Sequence, residues 1–432
     1  MTASGATDEG ARLASLKRQL EYVGRCSPFY REALAASGMR ADRLDSLAAF
    51  RALPALMDKA RERASLDEGV HQAGHPFGLH LCCDVEELHT VLTTSGTTGS
   101  PTWYLFSKQD WPRSLELVMR AFKFMGLRKG DRVLYALPSG GYIATIHVHA
   151  LRHMDAVVFE GGSERGPEWI ARLAALLQPR AIIATPSMLS NVMGIQPRAY
   201  GRIEIIVAAG EPCASIPALR HRLQDHYGAT VYEIFGPVSG NMFASCGSDP
   251  YSGFHFLSPE DGLWIEDLHD VQTGASIDLA DGVVGEGHIT ALRHEAAPMI
   301  KYANGDVIRV MTSPCSCGRP GLRMQIQGRK EDFFSLCGRT VGAREVQSAV
   351  ARLPQIEQFR IVRPRDDDKT LTLLIETSGG SLLPNSQAEL ERSLSIPVRL
   401  VPLEAGALPR SSAKTALLID HVAADPYLNR SK

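Results

Sequence analysis

Thr93-Thr94-Ser95-Gly96-Thr97-Thr98-Gly99-Ser100-Pro101 follows the apolar pair Val91-Leu92 and is the stretch on which the reading of this chain turns. Its hydroxyl side chains are interrupted by two glycines. Glycine lets a backbone approach a ligand closely and reach positive φ. Successive amide N–H groups in such a turn form a concave nest for anions, and Ser and Thr hydroxyls add donors. The expectation is a phosphate-gripping loop. It is not the G-x-x-x-x-G-K-[ST] loop, which the chain lacks. A Ser/Thr/Gly linker has the same composition, so the reading depends on what accompanies the loop.

At 432 residues the chain should form more than one domain. Its 44% hydrophobic and 22% charged content is that of a globular protein, and a net charge of −2 argues against nucleic acid or an anionic membrane as partner. No apolar run reaches the roughly 18 residues a bilayer crossing needs, and the N-terminus lacks the basic and apolar regions of a signal peptide. A cytoplasmic location is expected. The 8 cysteines are irregularly spaced, which suggests reduced thiols or a metal rather than a disulfide framework.

Leu13, Leu16, Leu20 and Val23 recur at helical spacing, so residues 8–37 read as helical, with a second helix starting at Pro28. Residues 38–90 read as loop-rich. Then short apolar runs at 133–137, 156–159, 181–184, 203–208 and 230–235 alternate with helical patterns at 169–177 and 215–227, the rhythm of a parallel sheet covered on both faces. The texture changes to strands and turns over 262–327, including Leu263-Trp264-Ile265. From about 330 an α+β unit follows. The expected fold is α/β: a large N-terminal domain (1–328) with parallel sheets flanked by helices plus an antiparallel β-subdomain, and a small mobile α+β C-terminal domain (329–432).

Five stretches then line up: 94–101, Ala209-Gly210-Glu211-Pro212, Tyr232-Glu233-Ile234-Phe235-Gly236, Tyr302-Ala303-Asn304-Gly305-Asp306 and Gly328-Arg329-Lys330-Glu331-Asp332. Gly338 and Pro409-Arg410-Ser411-Ser412-Ala413-Lys414 follow. In this order, with Ser27-Pro28-Phe29-Tyr30-Arg31 and Pro76-Phe77-Gly78, the set resembles the adenylate-forming superfamily and, within it, the phenylacetate–CoA ligase branch, over about residues 20–420. The resemblance implies activation of a small aromatic carboxylic acid by ATP and Mg²⁺ to an acyl-adenylate, then transfer to coenzyme A. A carrier-protein thiol, or a small amine or hydroxyl acceptor, is the alternative. A non-catalytic nucleotide-binding descendant is the rival of a different class. A homodimer is compatible with all of these.

On that resemblance, Thr94, Ser95, Gly96, Thr97, Thr98 and Gly99 hold the β/γ-phosphates. Gly210, Glu211, Pro212, Glu233, Phe235 and Gly236 surround adenine, with Phe235 stacking on it. Asp306 accepts from the ribose hydroxyls, Arg329 contacts ribose or phosphate, and Glu331 or Asp332 is the hinge. Lys414, with Thr97, is the catalytic candidate, bridging the carboxylate and the α-phosphate. Gly140, Gly141, Tyr142 and His147 are placed at the acyl pocket. Cys246, His255, Cys315 and Cys317 match cysteines and a histidine that bind structural Zn²⁺ in some members. Two departures stand out. Ser100 replaces the usual Lys, and Ser239 stands where a Glu normally helps bind Mg²⁺, a hydroxyl being a weaker ligand than a carboxylate; Glu233 is a candidate substitute.

Overall fold

The computed structural model describes residues 3–93, 102–195, 203–236, 242–377, 385–409 and 417–428. Most of the strands join one 13-stranded sheet. Its parallel half runs Val157–Glu160, Arg132–Ala136, Ala181–Ala184, Ile205–Ala208, Thr230–Phe235 in spatial order. Alternation along these strands builds two cores at once. Val133, Tyr135, Ile183 and Val207 face one cluster with the helices Asp110–Phe124 and Tyr142–His153. Leu134, Ile182, Ile206 and Val231 face the other, with Pro167–Leu177, Pro186–Ile195 and Pro217–Tyr227. Strands buried on both faces explain the unbroken apolar runs of the sequence.

The β-rich region is not a separate sheet. Phe243–Ser245 pairs antiparallel with Thr230–Phe235, and the ladder continues through Phe254–Phe256, Arg323–Arg329, Tyr302–Met311 and Val284–Ala291. Against this half pack the helices Ala3–Cys26 and Pro28–Ala36, through Leu16, Leu20, Val23 and Tyr30. Ser27 caps the second helix, accepting from the Tyr30 amide, with Pro28 at its first position.

Two local expectations are corrected. Within the stretch read as loop-rich, Lys59–Gln72 is a 14-residue helix whose first turn is capped by the Asp58 side chain. Its buried face is Glu62, Ser65 and Gly69, so no apolar stripe marks it. Of the expected strand at 263–265, only Gly262–Leu263 is strand, and the chain turns at Trp264, whose carbonyl accepts from Asp267 N.

Leu88–Thr93 and Trp103–Ser107 form a separate antiparallel pair that brackets the hydroxyl-rich loop. After Arg329 the chain leaves the large sheet through residues 330–332. It then forms the hairpin Phe333–Leu336/Arg339–Gly342, the helix Ala343–Val350 and a 4-stranded sheet with its own apolar cluster. Among the described residues, no helix is long and apolar enough to cross a membrane.

Candidate active site

Asp306 lies on Tyr302–Met311 directly across from Arg329, the last residue of the neighbouring strand. Its carboxylate is buried, 3.4 Å from Arg329 Nε, and accepts from the Asn304 side-chain amide at 2.7 Å, while Asn304 Oδ1 accepts from the Asp306 amide at 2.9 Å. Gly305 between them has φ +87° and donates its N–H to Glu286 Oε1 at 3.1 Å. A side chain at that φ is strained, which accounts for glycine there. Lys330 Nζ lies 3.5 Å from the other Glu286 oxygen. The result is an oriented carboxylate at the exit of the large sheet, suited to accepting hydrogen bonds from vicinal hydroxyls.

Tyr104 joins this group. It sits in the second strand of the loop-bearing pair, with its hydroxyl in the electrostatic field of Glu62, Arg329 and Asp306; burial above all pushes it up to about 12. Its ring lies 4.2 Å from that of Tyr142, so the strand Trp103–Ser107 lies near both the Asp306 carboxylate and the helix start at Tyr142. The sequence reading passed over Tyr104 and Glu62; the signal available was the aromatic pair Trp103-Tyr104 straight after the loop. Glu62 accepts from the Tyr302 hydroxyl at 2.8 Å, beside the same strand.

Ala209–Cys213 follows the strand Ile205–Ala208. Gly210, at φ +86°, is exposed, and Glu211 turns back to accept from Ser187 N at 3.0 Å and Ser187 Oγ at 2.7 Å, at the N-terminus of Pro186–Ile195. Glu233 is 3% exposed and its carboxylate accepts from the Cys213 amide. Burial, the largest influence, raises its pKa, opposed by that amide and by Arg344 of the small domain. Glu233 is therefore committed to holding the 209–214 loop. Phe235 is half-buried and stacks on Trp264, ring centroids 5.4 Å apart.

At the expected acyl pocket, Gly141 precedes the helix that Tyr142 begins, and a side chain added at Gly140 or Gly141 would meet open space. Tyr142 packs under Tyr104 and Phe106. His147 is in the core instead: its ring faces Phe122, its Nδ1 lies 3.4 Å from the Tyr135 hydroxyl, and burial lowers its pKa to about 3. Residues 94–101, Ser239 and Lys414 lie outside the described residues.

Glu331 and Asp332 sit where the chain leaves the sheet. Asp332 accepts from the Arg329 amide at 3.0 Å, and Glu331 lies between Lys59, at 3.5 Å, and Arg329, at 3.7 Å.

The cysteine-based set assembles at the far end of the antiparallel strands. Cys246 leaves Phe243–Ser245, His255 is central in Phe254–Phe256, and Cys315 and Cys317 share a turn closed by Gly318 N donating to Cys315 O. The four ligand atoms lie within 4.8 Å of one another. Cys246 Sγ is 3.6 Å from Cys315 Sγ, and Cys317 Sγ is 3.5 Å from His255 Nε2. The edges of a tetrahedral Zn²⁺ site are roughly 3.3–3.8 Å for the usual bond lengths. Burial resists ionisation of Cys246, yet the hydroxyls of Ser248 and Ser252 beside its sulfur bring it down to about 7. Burial also keeps His255 neutral. The donor set fits zinc.

No protein-family model matches the chain. It is 27% identical over 365 residues to phenylacetate-coenzyme A ligase of Thermus thermophilus, covering 81% of this chain and 77% of that one. The Escherichia coli K12 phenylacetate-coenzyme A ligase is 24% identical over 447 residues, covering 97% of this chain and 96% of its own. In fold the chain resembles 2-hydroxyisobutyryl-CoA ligase in its postadenylation state with 2-HIB-AMP, at TM-score 0.84, 24% identity, and 100% and 93% coverage. The same ligase in its thioesterification state with CoA gives TM-score 0.65, at 25% identity and 100% and 94% coverage. Ordered motifs, sequence and fold together make this chain similar to the phenylacetate–coenzyme A ligases over most of its length.

Proposed function

We propose that this protein is an acid–thiol ligase that uses ATP to convert a carboxylic acid to its acyl-adenylate and passes the acyl group to coenzyme A. A carboxylate is a poor acyl donor because its leaving group would be oxide. Attack of a carboxylate oxygen on the α-phosphorus expels pyrophosphate, and the mixed anhydride then gives its acyl group to a thiol with AMP leaving. The protein's contribution is positioning and charge stabilisation.

The observation that carries the reading is the Asn304–Asp306–Arg329 group, an oriented carboxylate near Tyr104 at the exit to the small domain. Asp306 holds the ribose, Phe235 presents a stacking face for adenine, and the 209–214 loop, fixed by Glu233 and Glu211, closes its edge. Residues 94–99 grip the phosphates, and Lys414 bridges the carboxylate and the α-phosphate. With Ser239 at the usual acidic position and Glu233 committed elsewhere, Mg²⁺ is held chiefly by ATP oxygens and water. The acid is a small aromatic one: Gly140 and Gly141 leave room for a flat ring, and Tyr142 with Tyr104 gives it an aromatic wall. Structural Zn²⁺ is held by Cys246, His255, Cys315 and Cys317; four protein ligands leave no open position, so the ion braces the loops and takes no part in the chemistry.

The test is carboxylate-dependent pyrophosphate release from ATP across benzoic, hydroxybenzoic, aminobenzoic and phenylacetic acids, with and without coenzyme A. Release with one aromatic acid, and acyl-CoA formed when coenzyme A is added, is the expected result. Silence across the panel from folded protein would refute the reading as a ligase of small aromatic acids.

A further inference from the structure

The chain passes from the large sheet to the small domain once, through Arg329–Asp332, and one residue there, Glu331, meets three parts of the molecule. The Glu331 carboxylate faces Lys59 Nζ at 3.5 Å and Arg329 Nη1 at 3.7 Å. Its backbone carbonyl accepts from the Arg363 guanidinium, just beyond the strand Ile356–Val362 of the small domain. Lys59 is itself fixed in place. It is the first residue of the helix Lys59–Gln72, and the preceding Asp58 is paired in register with Ala303, on the strand that carries Asp306. The N-terminal helical region thus reaches across to the crossing point and holds it by an ion pair.

The pair is half-exposed, at 42% and 56%. Such a pair contributes little to overall folding. An equilibrium between two domain arrangements is different, because a small bias there changes populations directly. Structures of the 2-hydroxyisobutyryl-CoA ligase are described in postadenylation, open and thioesterification states, and this chain matches the postadenylation one best of the three, TM-score 0.84 against 0.66 and 0.65.

We infer that Lys59 is a positioning residue: its ion pair with Glu331 biases the hinge toward the arrangement described here, and the pair must part for acyl transfer. The inference rests on the two-step ligase reading. Lys59→Glu and Glu331→Lys should each raise the ratio of acyl-transfer rate to adenylation rate by about two- to fivefold, the size expected of a half-exposed pair. Lys59→Arg should stay near the wild type. The double swap Lys59→Glu/Glu331→Lys should bring the ratio back, a recovery that loss of the helix cap or of local packing could not produce. The single-variant effects should shrink as salt is raised from about 0.01 to 1 M.

Single-turnover formation and decay of the acyl-adenylate give the two rates. Small-angle scattering of the same variants reports the domain arrangement without turnover, and should shift in each single variant and return in the swap. Scattering shifts without any acyl-adenylate would leave the clasp standing and defeat the ligase reading. Normal turnover, with both the rate ratio and the scattering unchanged in the single variants, would defeat the clasp; so would a swap that fails to restore them.

Discussion

Lys301→Met should be among the most damaging single changes outside the nucleotide site. Lys301 and Asp267 are both 0% exposed. The ammonium lies 2.8 Å from Asp267 Oδ1, 2.9 Å from Arg51 O and 3.0 Å from His269 Nε2, three acceptors for its three donors. His269 Nδ1 donates to Gly274 O at 3.0 Å, and its Nε2 lies 3.0 Å from Asp267 Oδ1 as well, so the three side chains form one buried cluster. Methionine fills similar volume but leaves the Asp267 carboxylate buried without its cation, and its Oδ2 already has no hydrogen-bond partner among the described residues. Removing one member of a buried pair costs about 3–5 kcal/mol, whereas replacing both by apolar residues is often near neutral. Urea unfolding should therefore show Lys301→Met less stable by about 3–5 kcal/mol, and Lys301→Met/Asp267→Leu recovering more than half of that loss. A single variant within about 1 kcal/mol of the wild type, or a double variant no better than the single, would show that the ammonium is not what stabilises this interior.

Among the histidines that burial lowers from the ordinary 6.5, His80 falls to about 4 and His147 and His288 to about 3. The unfolded chain binds their protons first, so their contribution is complete above pH 6.5 and is lost as pH falls toward 3–4, each at up to about 1.4 kcal/mol per pH unit. The urea midpoint should drop between pH 7 and 5, and His147→Gln should reduce that slope by about one proton; a flat profile would contradict the buried neutral state. For the metal, elemental analysis should find about one zinc per chain, lost in Cys315→Ser, with a chelator lowering the melting temperature. Full-length protein without zinc and indifferent to chelator would remove it. Asp306→Asn keeps the shape but loses charge-assisted hydrogen bonds of about 1.5–3 kcal/mol, and should raise the KM for ATP about 10- to 100-fold, measured by pyrophosphate release at saturating acid. An unchanged KM would take Asp306 off the ribose.

The parallel half of the sheet was legible because its strands are buried on both faces and read as runs such as Ala181-Ile182-Ile183-Ala184. The short ordered motifs holding Asp306 and Arg329 stand out in the sequence, and the two residues meet across paired strands. Lys59–Gln72 was not, since its buried face is Glu62, Ser65 and Gly69, and Gly69 is there because a Cβ would come within 2.8 Å of Gly78 Cα. Periodicity detects apolar stripes and is blind to a helix packed through small and polar residues. The Lys301–Asp267–His269 cluster was hidden for a different reason: its members are up to 34 residues apart and meet only in the folded core. His147 shows how burial is hidden in one dimension. A histidine near a glycine-rich turn looks like a pocket residue in one dimension, yet the helix turns it into the core beside Phe122.

The central claim is an acyl-adenylate, and oxygen tracing tests it directly. An aromatic acid carrying ¹⁸O at both carboxylate positions is turned over with ATP and coenzyme A, and the products are read by mass spectrometry. Attack of carboxylate oxygen on the α-phosphorus leaves one labelled oxygen on AMP and the other on the thioester, with pyrophosphate unlabelled. ADP with label in inorganic phosphate, or AMP without label, would contradict the account.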